Sequence, residues 1–252
     1  MSRIRVSAVK YTNSIPFIYG LQNYPFDEEI DLSLDNPAEC YTKLLNGKAD
    51  IGLVPVTIKK EINAIRRVSD YGIGANGKVL SVILVSKSPV NEIKRITLDY
   101  QSRTSAMLTK LLCRDLWKIN PVFIQALPGY ETKDLSEGEA NLIIGDRTFP
   151  CYLRNDIIIT DLAGEWTKYT NLPFVFAFWA SVQEIPYDFE QKFNHALNLG
   201  MSHKVHLAKE MSVLPQYNAV NLPQYLNENI IHEISPAMQE GMNLFLHLIR
   251  DF

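Results

Sequence analysis

The sequence predicts an α/β protein of two lobes with a polar cleft between them, and three observations carry that prediction. Residues 78–87 (KVLSVILVSK) form a near-continuous apolar, β-branched run broken near its entry by Ser81, the signature of a strand buried on both faces. Residues 172–181 (LPFVFAFWAS) have the same character and lie about as far from the C-terminus as the first run does from the N-terminus. The segment between them carries strand and helix signals of its own. The chain is therefore expected to cross between lobes near residues 86–90 and to return near 179–184, giving one lobe of 1–88 plus 181–252 and a second of 89–180.

Along the chain, Ile4, Val6 and Ala8 alternate with polar residues and predict a first strand, which ends in the loop KYTNS (10–14) before Pro16. A loop after the first strand of an open α/β sheet is a usual ligand position. Asn36 and Pro37 are the N-cap and first turn of a helix with Ala38, Tyr41, Leu44 and Leu45 on its apolar face, and Gly47 ends it. The strand IGLVPV (51–56) follows at once, and this order argues for a parallel crossover. Residues 58–68 are expected to form a short helix, and the glycines of DYGIGANG (70–77) a loop.

After Pro89 the pattern restarts with a strand at 93–98, and DYQSRTS (99–105) leads into a helix with Met107, Leu108, Leu111, Leu112 and Leu116 at helical spacing. Ser102, Thr104 and Ser105 stand at its first turn, where free N–H groups and the helix dipole favour a carboxylate or phosphate; plain N-capping is the alternative. A strand at 122–126, a short helix at 132–139 and a strand at 141–147 are expected next. Arg147 then sits at a strand's carboxyl end, either to pair with a ligand carboxylate or to make an ion pair with an acid such as Asp146. Helices are predicted at 188–201, at 203–211 and after Ser235–Pro236.

Composition narrows the function. A net charge of -3 gives no general case for nucleic acid or an anionic membrane, so a small-molecule partner is expected. Cys40, Cys113 and Cys151 are odd in number and widely spaced, which argues for buried thiols rather than a disulfide framework or zinc site. No apolar run nears the roughly 20 residues that span a bilayer, and no signal-peptide core precedes RIRVSAV, so a cytoplasmic protein is expected. His203 and His206 share a helix face without further ligands, and they, like His195, His232 and His247, read as surface or capping residues. GxSxG, P-loop, GxGxxG and HExxH motifs are all missing. The element order is similar to the type II periplasmic-binding-protein architecture, whose hinged lobes close on small ligands.

A more specific resemblance rests on KYTNSIPFIYG, NGKADIGLVPV, SDYGIGANGKVLSVILVSK, LDYQSRTSAMLTKLL, LIIGDR and DLAGEWTKYTNLPFVFAFWA, in this order and spacing. Together, over residues 3 to about 181, they resemble the chorismate dehydratase family of the futalosine route to menaquinone; the helical C-terminal part matches loosely. The chain departs from that pattern at Lys10 and Thr12, where smaller or more apolar residues are expected, and at Gly72, where Cys or Ile is common. The resemblance implies a binding-protein-like fold, loss of water from chorismate to give 3-[(1-carboxyvinyl)oxy]benzoate, and no metal or organic cofactor. It implies that the enolpyruvyl carboxylate of the substrate takes the C3 proton, so that the enzyme works by orientation.

By the same resemblance Asn13 fixes the reacting carboxylate or the departing hydroxyl, and Ser81 contacts the substrate. Ser14, Ser102, Arg103, Thr104, Ser105 and Arg147 are the expected substrate-binding residues. A non-catalytic receptor for small anionic solutes and the sister enzyme 1,4-dihydroxy-6-naphthoate synthase are the alternatives, the latter expected to use a histidine base. Monomer and homodimer both remain open.

Overall fold

The computed structural model describes residues 3–27, 29–62 and 64–252. The chain enters through β1 (Ile4–Val9), passes a 3-10 turn at Thr12–Ser14 into α1 (Ile15–Asn23), and returns as β2 (Ile30–Asp35), parallel to β1. Next come α2 (Pro37–Leu45) and β3 (Ile51–Pro55), which pairs parallel along the other side of β1. Asn36 caps α2 as predicted, accepting from the Glu39 backbone while the Glu39 carboxylate accepts in return from Asn36 N–H. After a 3-10 turn at Val56–Lys60, β4 (Arg66–Ala75) completes the first pass.

The chain then builds β5 (Val82–Ser86), β6 (Arg95–Leu98), α3 (Arg103–Leu112), β7 (Val122–Gln125), β8 (Glu139–Ile144), β9 (Ile158–Asp161) and α4 (Leu162–Thr170). It returns through β10 (Phe174–Ser181), α5 (Tyr187–Met211), the single turn α6 (Leu222–Gln224), β11 (Ile231–Glu233) and α7 (Pro236–Leu248). Two mixed sheets result, in the strand orders β11-β4-β10-β3-β1-β2 and β7-β6-β8-β5-β9.

Sheet membership moves both expected crossing points. The later part of each apolar run is indeed a strand with every residue buried, but β5 belongs to the second sheet and β10 to the first. The chain therefore crosses within residues 76–81, where Leu80 takes a left-handed φ of 62°, and returns between β9 and β10. Burial on both faces marks a strand central to a sheet, and it says nothing about which sheet.

Four local expectations also fail. Gly72 and Gly74 lie in β4 and not in a loop, while Gly77 follows the strand: at Gly72 a Cβ would stand 2.6 Å from the Ala177 carbonyl of β10, so the close approach itself demands glycine. That contact accounts for one departure from the family pattern. No helix covers 58–68, of which Asn63 lies outside the described residues, nor 132–139, where only Tyr130–Thr132 makes a turn and Gly138 takes a φ of 74°. The two helices expected at 188–211 are one, because nothing between Met201 and His203 breaks the backbone ladder. The elements α1 and β2 were not expected; in β2 the alternation of Ile30, Leu32 and Leu34 is the signal that marks them.

The first-sheet lobe is closed by α1 packing on α5. An added Cβ at Gly20 would lie 1.9 Å from the Ala196 carbonyl, and one at Gly200 1.7 Å from the Pro16 carbonyl, so two glycines set the helix separation. Gly20→Ala and Gly200→Ala should each lower the unfolding free energy by about 1–3 kcal/mol in equilibrium denaturation. Unchanged midpoints would show that the helices separate freely there.

Candidate active site

A cavity opens between the two sheets, at the carboxyl ends of the parallel strands β1, β3, β6 and β8. That is where open α/β sheets hold ligands. Val9, Tyr11, Asn13, Pro55, Phe176 and Ala177 line it from the first sheet; Ser81, Ser102, Thr104, Ser105, Ile144 and Gly145 line it from the second. Tyr11 is the one titratable residue in the lining, and burial raises its phenol far above the usual range.

The Thr12–Ser14 turn is tied down on several sides. Thr12 N–H donates to both carboxylate oxygens of Asp146, at 3.0 and 3.2 Å, and the Thr12 and Tyr217 hydroxyls lie 3.0 Å apart. The threonine that departs from the family pattern thus has a partner of its own. Burial raises the Asp146 carboxyl above the ordinary carboxylate range, partly offset by the Thr12 amide and hydroxyl. Ser14 donates to Asn13 Oδ1 at 3.1 Å, leaving the Asn13 amide nitrogen as the donor to offer a ligand. His232 Nε2 lies 2.8 Å from the Asn13 carbonyl; a carbonyl only accepts, so Nε2 carries the proton.

On the opposite wall Ser102 caps α3, accepting from Ser105 N–H at 3.1 Å. Thr104 is 2% exposed and its hydroxyl has no partner. Such a group in a cavity wall is ready for a ligand oxygen. The buried Tyr225 hydroxyl stands beside both Ser81 and Asn13, and burial raises it although those two side chains favour its ionised form. Gly145, at φ 65°, faces the Tyr11 ring so closely that a Cβ would lie 2.8 Å from it. The Tyr11 hydroxyl donates to Gln101 Oε1, which also accepts from Arg147 at 3.3 Å.

Five predicted residues are thus brought to one cavity: Asn13, Ser81, Ser102, Thr104 and Ser105. Three are not. Ser14 is fully buried behind Asn13. Arg103, the first residue of α3, points outward to Glu61 at 2.8 Å and stacks over Tyr41. Arg147 follows β8 in a 3-10 segment and pairs with Asp99 at 2.6 Å and Glu131 at 3.6 Å, flanked by Tyr100 and Tyr130; its ion pair is with these acids and not with Asp146. His232, expected at the surface, is 2% exposed. His203 lies on α5 against Tyr19 and His206 pairs with Glu210, and no cluster of metal-ligating side chains occurs among the described residues. All three cysteines are free and buried. No helix among the described residues is long and apolar enough to cross a membrane.

Two sheets exchanging strands around a cleft at their carboxyl ends define a protein of the periplasmic-binding-protein-like class. The Candida albicans CA3427 product, described as having the generic periplasmic binding protein fold, superposes with a TM-score of 0.64 at 15% identity, over 99% of this chain and 94% of that one. Residues 4–251 match the menaquinone biosynthesis family, and the chain belongs to that family. A chorismate dehydratase of Thermus thermophilus is 30% identical over 172 residues, 60% of each protein. One of Campylobacter jejuni is 25% identical over 241 residues, 94% of each.

Burial drives the His232 imidazole from 6.5 to about 3; the Asn13 hydrogen bond opposes the drop and the Lys204 charge adds to it. Between those values the unfolded chain binds a proton that the folded chain refuses, so this residue removes stability as pH falls below 6.5. Wild type should lose up to about 1.4 kcal/mol per pH unit more than His232→Gln in denaturation series between pH 6.5 and 4. Parallel stability curves for the two proteins would contradict a neutral buried imidazole.

Proposed function

We propose that the chain is a chorismate dehydratase, a hydro-lyase that converts chorismate to 3-[(1-carboxyvinyl)oxy]benzoate and water by substrate-assisted elimination. The observation that carries this reading is the chemistry of the cavity wall. It offers hydroxyls, one amide, a helix start and apolar surface, and no carboxylate, imidazole, amine or thiol that could take a proton near neutral pH. A reaction that begins with loss of a C–H proton then needs its base from the ligand. In chorismate the enolpyruvyl carboxylate is that base: it accepts the C3 proton, the C3–H electrons form the new ring double bond as the C4–O bond breaks, and the carboxylic acid so formed passes its proton to the departing hydroxide, which leaves as water.

The residues have roles that follow from their donors. The first turn of α3, with Ser102, Thr104 and Ser105, holds one carboxylate on backbone N–H groups and the unpartnered Thr104 hydroxyl. Asn13, its amide oxygen occupied by Ser14, presents N–H to the reacting carboxylate or the departing oxygen. Ser81 contacts the ring substituents from the crossing segment. Orientation replaces a protein base, because holding a carboxylate against its own C–H raises its effective molarity. The family and the names of the relatives support this reading. The sister synthase fits less well, since the wall contains no histidine and His232 lies behind Asn13 with its Nε2 proton committed. A cytoplasmic enzyme free of metal and organic cofactor completes the proposal.

Purified protein incubated with chorismate should yield an aromatic product lighter by one water, followed by mass spectrometry and ultraviolet absorbance against a heat-killed control. Asn13→Ala should cut kcat by about a hundredfold or more while chorismate affinity by calorimetry changes by less than about fivefold. Chorismate left intact by the wild type would overturn the dehydratase, and equal losses of kcat and affinity would reduce Asn13 to a binding residue.

A further inference from the structure

The segment after α5 reaches back to the Thr12–Ser14 turn with Tyr217, Tyr225 and His232, and of these His232 touches the backbone of Asn13 itself. We infer that His232 is a positioning residue for Asn13, fixing the carbonyl of the turn so that the amide side chain keeps its aim into the cavity. This inference rests on the role proposed for Asn13 above.

Four features of the geometry carry it. The His232 Nε2 donates to the Asn13 carbonyl at 2.8 Å, a full-strength hydrogen bond inside the protein. The other ring nitrogen, Nδ1, is buried with no partner. Burying a bare polar atom is unfavourable, and an apolar ring of the same shape would avoid it, so packing alone does not explain a histidine here. The ladder between β11 and β4 shifts register between Ile231 and Glu233, an irregularity of the kind that re-aims a side chain, and His232 is the residue it spans. Finally, the ring stands edge-on to Phe17 of α1 at 5.1 Å, which holds the donor in one orientation. His232 is not itself a proton acceptor for the reaction, because it does not line the cavity and its Nε2 proton is committed to Asn13.

The test compares wild type with His232→Gln, whose amide N–H reaches about where Nε2 does, and His232→Leu, which fills the space without a donor. With chorismate as substrate, His232→Gln should keep kcat within about threefold of wild type. His232→Leu should lose about tenfold or more in kcat with KM within about threefold, a split that general destabilisation does not produce. Wild-type kcat in His232→Leu, or equal loss in both folded variants, overturns the inference. A readout independent of turnover separates its failure from that of the dehydratase reading: in nitrogen-15 spectra the wild-type His232 Nε2–H should be visible and slow to exchange, and the Asn13 side-chain amide should shift in His232→Leu but not in His232→Gln. A proton found on Nδ1, or Asn13 resonances indifferent to both substitutions, overturns it even where chorismate is not turned over. Should His232→Leu fail to fold, the tautomer in the wild type and the kcat of His232→Gln still decide.

Discussion

The contact from Thr12 N–H to the Asp146 carboxylate crosses from the loop after β1 to the segment after β8, and the cavity exists because those two segments stand at that spacing. Asp146 is partly buried without a basic partner among its contacts, which on its own is unfavourable for a carboxylate. Backbone and hydroxyl groups of Thr12 compensate in part, and beside them the Tyr11 ring packs against Gly145 and the Tyr217 ring against Phe149. A group that is satisfied only when both sheets contribute makes the joint between them selective for one arrangement. The ion pair Arg103–Glu61 joins the start of α3 to the turn after β3 at the surface, where screening leaves it about 0–1 kcal/mol.

That joint explains why the cavity is neutral. Two arginines expected to face it are paired elsewhere, Arg147 with Asp99 and Arg103 with Glu61. What remains facing the ligand is a set of dipoles, fixed in place before a ligand arrives, and fixed dipoles cost no reorganisation when charge moves. A cavity of this kind suits a substrate that brings its own charge and its own base. The C-terminal segment supports the site, since Tyr217, Tyr225 and His232 meet the Thr12–Ser14 turn from behind.

Local signals were legible in the sequence wherever the physics is local. The Asn36 and Ser102 caps and the hydroxyls at the start of α3 follow from neighbours a few residues apart and stand where they were read, and the doubly buried strands occupy the later part of each apolar run. Asn13 and Ser81 came from the family pattern and do line the cavity. What stayed hidden depends on partners far away in the chain. Arg147 could not be known to pair with Asp99, 48 residues away, nor His232 to reach Asn13 across 219. The glycines of β4 resemble a loop until β10 is laid against them, and the sheet to which a buried strand belongs is set by pairing that no single segment records.

The most direct measurement is a crystal structure of the Asn13→Ala protein with chorismate bound, the substitution serving to hold the substrate unreacted. The account predicts one carboxylate on the first-turn N–H groups of α3 and the Thr104 hydroxyl, and the enolpyruvyl carboxylate folded over C3 on the side that faces position 13. Chorismate seated on Arg147 or Arg103, or held with both carboxylates away from C3, would contradict it.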